Sequence, residues 1–285
     1  MRIPAGPVAF FAAAAVTVLL IAGASFGLAL LVATPGTAEP LRTLPDNPWW
    51  FMYREAPKAG SLGSLWRIGA AIATACVALV AAFRSRALFR KSASPVLPFL
   101  ILFLFSLGME CLRAGTGVLY ALDRSISAGV LLTRLVYWAR FVGLLALLLA
   151  GLFCIEMRYR RYIVLSGVVF LVSFAMAAYI PVDRTVFLAQ LTWKLGDEQG
   201  VWFVNLVIGF LAVAASAGAA LSKRDTRYLV LAGGFTLLLL SRELLFFSVA
   251  PMLLAGGLAS LAAGIVVCLR VLLAIYRQMG KAAGG

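Results

Sequence analysis

The sequence contains no histidine, only four cysteines, and only 13% charged residues in a chain of 285. Without histidine there is no imidazole to hold haem or zinc, to complete a catalytic triad or to relay protons. The cysteines, Cys76, Cys111, Cys154 and Cys268, all fall in apolar segments. That placement argues against a disulfide framework and reads as small packing residues. No phosphate-binding glycine loop, metal-ligand cluster or nucleophile–base pair is visible. The sequence therefore leans away from an enzyme, and no cofactor or metal is expected.

What is abundant is hydrocarbon. Hydrophobic residues make up 63% of the chain, against about 45–50% in soluble domains. The length suits one membrane domain with little left for a soluble one, so the expected class is an all-α polytopic membrane protein. A net charge of +14 raises the question of nucleic acid. The basic residues form short clusters between apolar runs rather than one face, which is a signature of membrane topology and excludes nucleic acid as a partner.

A spanning helix needs about 20 mostly apolar residues. Eight stretches qualify: 8–33, 64–83, 96–117, 128–155, 162–181, 201–221, 228–249 and 252–276. The first is about twice as long as a signal-peptide core of 7–15 residues, so it reads as an uncleaved anchor. Cleavage near "GTAEP" would leave seven spans. With the N-terminus inside, the inner segments carry 13 of the 25 Lys and Arg residues, against 6 in the outer loops and 6 within or at the edges of spans. Seven of the eleven acids fall in outer loops. Basic residues stay on the cytoplasmic side during insertion, so both termini are expected in the cytoplasm, in a membrane of the bacterial inner type. Anionic lipid or a partner protein could meet the basic inner loops, though those charges are also ordinary topology determinants.

The outer loop 34–62 contains "TLPDNPWWFMYREAP". Trp49, Trp50, Phe51 and Tyr53 suit the headgroup level, as an interfacial anchor rather than a lid. "LGDEQG", with Asp197 and Glu198, reads as a solvated turn. "GASFG" and the small-residue pieces of the last two spans read as helix-packing surfaces.

The last seven spans divide into three helices (63–156), a linking helix (162–181) and three helices (201–276), with a weak internal repeat. Trp66 and Trp202 open corresponding units, "RSRALFRK" and "SKRDTR" form corresponding inner turns, and Glu110 aligns on Glu243. This 3+1+3 layout resembles that of the SWEET family of small sugar transporters in arrangement alone, without a shared motif. Seven helices also resemble the rhodopsin layout. A retinal Schiff base needs a lysine in the last helix, and that span has none.

The stretch "LLLLSRELLFF" places Arg242 and Glu243 inside an apolar helix. At 1.5 Å rise per residue, Glu110, Arg140 and Glu243 all lie about 21–22 Å from the inner edges of their spans. That is the outer third of a ~30 Å core. A charge near mid-bilayer costs at least ~2.5 kcal/mol even on the mildest scale, so such groups face inward and find partners. Glu110, Arg140 and Glu243 are the expected network. Glu110 and Arg113 can also pair along their own helix. Arg113, Arg134 and Arg242 lie at the same level or further out and are the candidate ligand-binding residues. Spare guanidinium charge there suits a carboxylate, a phosphate or a lipid headgroup. The other reading is a polar network that only fixes helix packing.

Three functions follow as expectations. The first is transport or ligand binding at a charged site in the outer half of the bundle, for an anionic or lipid-like ligand. The second is a receptor or membrane subunit acting through a partner protein. The third is an intramembrane enzyme on lipid-linked substrates.

Overall fold

The computed structural model describes residues 7–34, 36, 38–41, 44–45, 63–89, 94–155, 162–248 and 250–282. The aromatic loop segment 46–62 and the basic segments 90–93 and 156–161 lie outside the described residues.

The helices are α1 (Pro7–Ala33), α2 (Gly63–Phe89), α3 (Leu97–Met109), α4 (Leu112–Ala121), α5 (Ile126–Cys154), α6 (Tyr162–Tyr179), α7 (Glu198–Lys223), α8 (Arg227–Phe247) and α9 (Pro251–Ala282). Two strands, β1 (Val182–Leu188) and β2 (Thr192–Leu195), interrupt the series before α7. Among the described residues seven helices are long and apolar enough to cross a membrane, with α3 and α4 counting together as one span, Leu97–Ala121. This is a predominantly helical integral membrane architecture. The expected fifth span, 162–181, corresponds to the shorter α6, whose 18 residues reach about 27 Å.

The third span is not continuous. At the Glu110–Cys111 junction the backbone bonds tighten from four residues to three: Cys111 N–H reaches Gly108 O, Arg113 N–H reaches Glu110 O, and Ala114 N–H reaches Cys111 O. Such a 3₁₀ segment inside a helix is a place where geometry is re-aimed. Here it lies at one of the buried carboxylates.

Helix α5 is the central post. It packs against α3, α4, α6, α7 and both strands. Below the charged level, an apolar core of Phe99, Phe103, Leu104, Leu147, Phe235 and Leu238 fills the space between α3, α5 and α8. Close approach needs glycine at two places. A Cβ on Gly143 would run into the Ser106 hydroxyl of α3, and one on Gly151 would meet the Ala212 backbone oxygen of α7. These contacts bring α3 and α7 against the post, as small residues do in lipid. Three cysteines are buried and all four are free, but Cys76 is exposed on α2 rather than packed inside.

The hairpin β1–β2 was not expected, because 182–200 reads as an outer loop. Its strands pair antiparallel, Phe187 opposite Trp193 and Leu188 opposite Thr192. Gly196 N–H donates to Pro181 O at 2.8 Å and closes the base. At the base Asp183 accepts from the Thr185 hydroxyl at 2.6 Å and the Thr185 N–H at 2.9 Å. These bonds hold its carboxyl below the ordinary carboxylate range. Asp197 caps α7, accepting from Gly200 N–H at 2.9 Å. Glu198 follows in the first turn and is buried. This corrects the expected solvated turn: a carboxylate there faces the positive end of the helix dipole.

Candidate functional site

The two largest fully buried side chains among the described residues are Arg140 and Arg242. Arginine is normally among the residues least often buried. Here neighbouring helices supply Arg140 with two carboxylates and Arg242 with one.

Glu110 sits at the α3–α4 junction, Arg140 in the middle of α5, and Glu243 in the last two turns of α8. Arg140 Nη2 donates to Glu243 Oε1 at 2.6 Å, and Nη1 reaches Glu110 Oε2 at 3.4 Å. Its guanidinium also lies over the Phe246 ring, 3.9 Å from the centroid, so an aromatic face covers what the carboxylates leave. The two glutamates that align in the weak repeat therefore meet at one arginine.

Successive helical residues point about 100° apart. Glu243 faces Arg140 on α5, and Arg242 faces the α3–α4 junction, where its Nε donates to Glu110 Oε1 at 2.8 Å. Glu110 is thus shared by two arginines. Both terminal nitrogens of Arg242, Nη1 and Nη2, are buried without a hydrogen-bond partner.

Arg113 does not pair along its helix with Glu110. Its Nη1 and Nη2 donate to the Phe246 and Leu245 carbonyls at 2.9 and 2.8 Å. Those carbonyls belong to the last turn of α8, where no intrahelical donor remains and the dipole is negative. Arg113 is a cap for α8, its two terminal nitrogens satisfied by backbone while Nε is left without a partner. Arg134 is exposed on α5 and stands apart from the buried group. Arg67, which the sequence reading did not select, is buried on α2 and donates to the Ala189 carbonyl in the hairpin turn. Its position at the edge of a span conceals this role, because the acceptor is a backbone atom.

The buried group comprises Arg67, Arg113, Arg140 and Arg242 against Glu110 and Glu243, a surplus of two positive charges. A cavity of about 10 Å³ lies among Ala71, Thr74, Leu107, Glu110, Arg113, Arg242 and Leu245. That is space for one water-sized particle. It adjoins the one guanidinium in the network whose terminal nitrogens are both unmatched. Among the described residues no group of His, Cys, Asp and Glu could hold a metal ion. No family model, curated protein or solved structure matches the chain.

Proposed function

We propose that this is an integral membrane protein that binds an anionic ligand at the buried charged site, with Arg242 as the ligand-facing residue. One observation carries the reading. Two N–H-bearing atoms of a fully buried guanidinium lack partners, beside a cavity, in a cluster carrying two surplus positive charges. A desolvated fork without acceptors is costly. A small anion would supply those acceptors. Arg140, whose two terminal nitrogens meet two carboxylates and whose guanidinium lies on a ring, holds the helices in register. Arg113 caps α8. Arg134 is set aside as a ligand contact because it is exposed.

Transport and ligand binding share this chemistry. The core below the charged level is built of apolar side chains, which supports binding in the present conformation. The small volume of the cavity also favours a small anion over a multi-atom lipid headgroup. Counts of Lys and Arg support a site in the outer half, with both termini in the cytoplasm of a bacterial cell and α6 as an eighth crossing.

The test is thermal unfolding of the purified protein in detergent at fixed ionic strength, exchanging gluconate for chloride, nitrate, sulfate, phosphate or acetate. At least one of these anions should raise the melting temperature of the wild type and not of Arg242→Lys. Melting that is indifferent to every anion, or equally responsive in both proteins, rejects the reading. Uptake of the stabilising anion into proteoliposomes then separates transport from binding.

A further inference from the structure

The hairpin β1–β2 is foreign to the rest of the fold: a pair of strands set into a helical membrane bundle. Its turn is not at the surface. Leu188, Ala189, Leu191 and Thr192 are each no more than 2% exposed. Leu191 adopts φ of +65°, the left-handed region that a bulky side chain seldom occupies. The tip is therefore held in place by what surrounds it.

Besides the Pro45 carbonyl, which accepts from Ala189 N–H at 2.8 Å, those attachments lie on three helices, all on the same side of the charged site. On α2, Arg67 donates to Ala189 O. Ala71 and Thr74, which line the cavity, follow one and two turns later, about 6 and 10 Å along the axis. On α4, Leu191 seats against Gly117, one turn beyond the cavity residue Arg113, about 6 Å. On α5, Thr133 Oγ1 accepts from Trp193 N–H at 3.2 Å, two turns before Arg140, about 10 Å. The hairpin thus lies over the end of the bundle nearest the cavity. Below the cavity the core is apolar.

We propose that the β1–β2 hairpin is a removable plug over the Arg242 cavity, and that a small anion enters past it from the hairpin end. The proposal rests on the reading of that cavity as the site. The tip is seated by Phe187, Leu191 and Trp193 in an apolar cluster, with Leu191 against Gly117 and Trp193 against Gly129, and its polar ties are three: Arg67, Thr133 and the Pro45 carbonyl, which accepts from Ala189 N–H at 2.8 Å. These ties are few enough to break and remake together. The surplus positive charge beneath would draw anions in and turn cations away.

The experiment uses full-length protein carrying Thr74→Cys as a reporter in the cavity wall, with the exposed Cys76 changed to Ala. The three buried native thiols are shielded. Two methanethiosulfonate reagents of similar size are added, one bearing a sulfonate and one a trimethylammonium group. Labelling at residue 74 is followed by peptide mass. The same protein also carries Gly117→Cys with Leu191→Cys as a lock. A Cβ at 117 would stand 3.7 Å from Leu191 Cβ, within the 3.5–4.5 Å that disulfides use. The reduced form of this protein is its own control for folding.

In the reduced protein the sulfonate should label residue 74 about tenfold faster than the cation, as a positively lined cleft concentrates anions. Oxidising the lock should slow both reagents at least tenfold. Arg242→Gln, which halves the surplus charge, should weaken the charge preference, and Arg242→Lys, which keeps the charge, should retain it and so exclude misfolding as the cause. Labelling that is equally fast in the locked and reduced forms overturns the plug. So does a residue 74 that neither reagent reaches in the reduced form. Equal rates for the two charges, with the lock still protective, leave the plug standing and overturn the anionic character of the site beneath it.

Discussion

Arg140 tests whether the buried charges form one energetic unit. Arg140→Leu removes the 2.6 Å bond to Glu243, the 3.4 Å contact with Glu110 and the stacking on Phe246. Glu110 keeps Arg242 at 2.8 Å, so it is not stranded. Glu243 loses its short bond, but its side chain is 26% exposed, which softens the penalty. The cost should therefore fall near the low end of the range for a broken buried pair, about 3 kcal/mol. Glu243→Leu leaves Arg140 with the longer Glu110 contact and should cost about 2 kcal/mol, the worth of one charged hydrogen bond. In the double variant the bond that Glu243→Leu would break is already gone. The pair should cost about as much as Arg140→Leu alone, giving a coupling energy of about 2 kcal/mol. Reversible unfolding in mixed micelles with increasing dodecyl sulfate measures all four corners of the cycle. Arg134→Leu replaces Arg140→Leu in a control cycle and should show no coupling to Glu243, because Arg134 is exposed on another face of α5. Additivity of Arg140→Leu and Glu243→Leu within about 0.5 kcal/mol would refute the reasoning.

Gly143→Ala should destabilise by about 1–3 kcal/mol by pushing aside the Ser106 hydroxyl, and adding Ser106→Ala should restore most of the loss in the same unfolding assay. Gly151→Ala should resist rescue by side-chain truncation, since its new Cβ meets the backbone oxygen of Ala212. Arg113→Lys can serve only one of the Leu245 and Phe246 carbonyls and should cost about 1–2 kcal/mol, with Arg113→Leu costing more because both acceptors are then left bare. An unchanged melting temperature in Arg113→Leu would show that the α8 end needs no cap. At the hairpin base, Thr185→Val removes a donor that favours the Asp183 carboxylate, so the Asp183 pKa should rise towards its ordinary value in an NMR titration. The sign follows: a depressed folded-state pKa contributes stability above the unfolded-state pKa and loses it as pH falls through the folded one. The wild-type hairpin should therefore withstand acid further than Thr185→Val.

Length and apolarity make the spans legible, because a bilayer imposes both on any crossing helix. Seven stretches coincide with helices long and apolar enough to cross, and the shorter α6 occupies the eighth. The hairpin escaped notice because its fourteen residues sit between two spans, where an outer loop is the default. A signal existed. Val182, Thr185, Val186, Phe187, Thr192 and Trp193 are strand formers bounded by Pro181 and Gly196, which is hairpin composition. Depth was legible too, since rise per residue is fixed. Glu110, Arg140 and Glu243, counted to one level from three helix ends, touch in the structure. Direction around the helix is legible in the same way. Arg134 precedes Arg140 by six residues, so it is rotated by about 120° from it; with Arg140 inside, Arg134 had to leave the interior. The partner of Arg113 could not be read at all, because its acceptors are backbone carbonyls that every sequence possesses at every helix end. That substitution of backbone for side chain changes the role of Arg242. With Arg113 spent on α8 and Arg140 held between two glutamates, the terminal nitrogens of Arg242 are the pair left without acceptors. A capped arginine and a paired one fix the helices, and the third is left facing the cavity with its hydrogen bonds still to make.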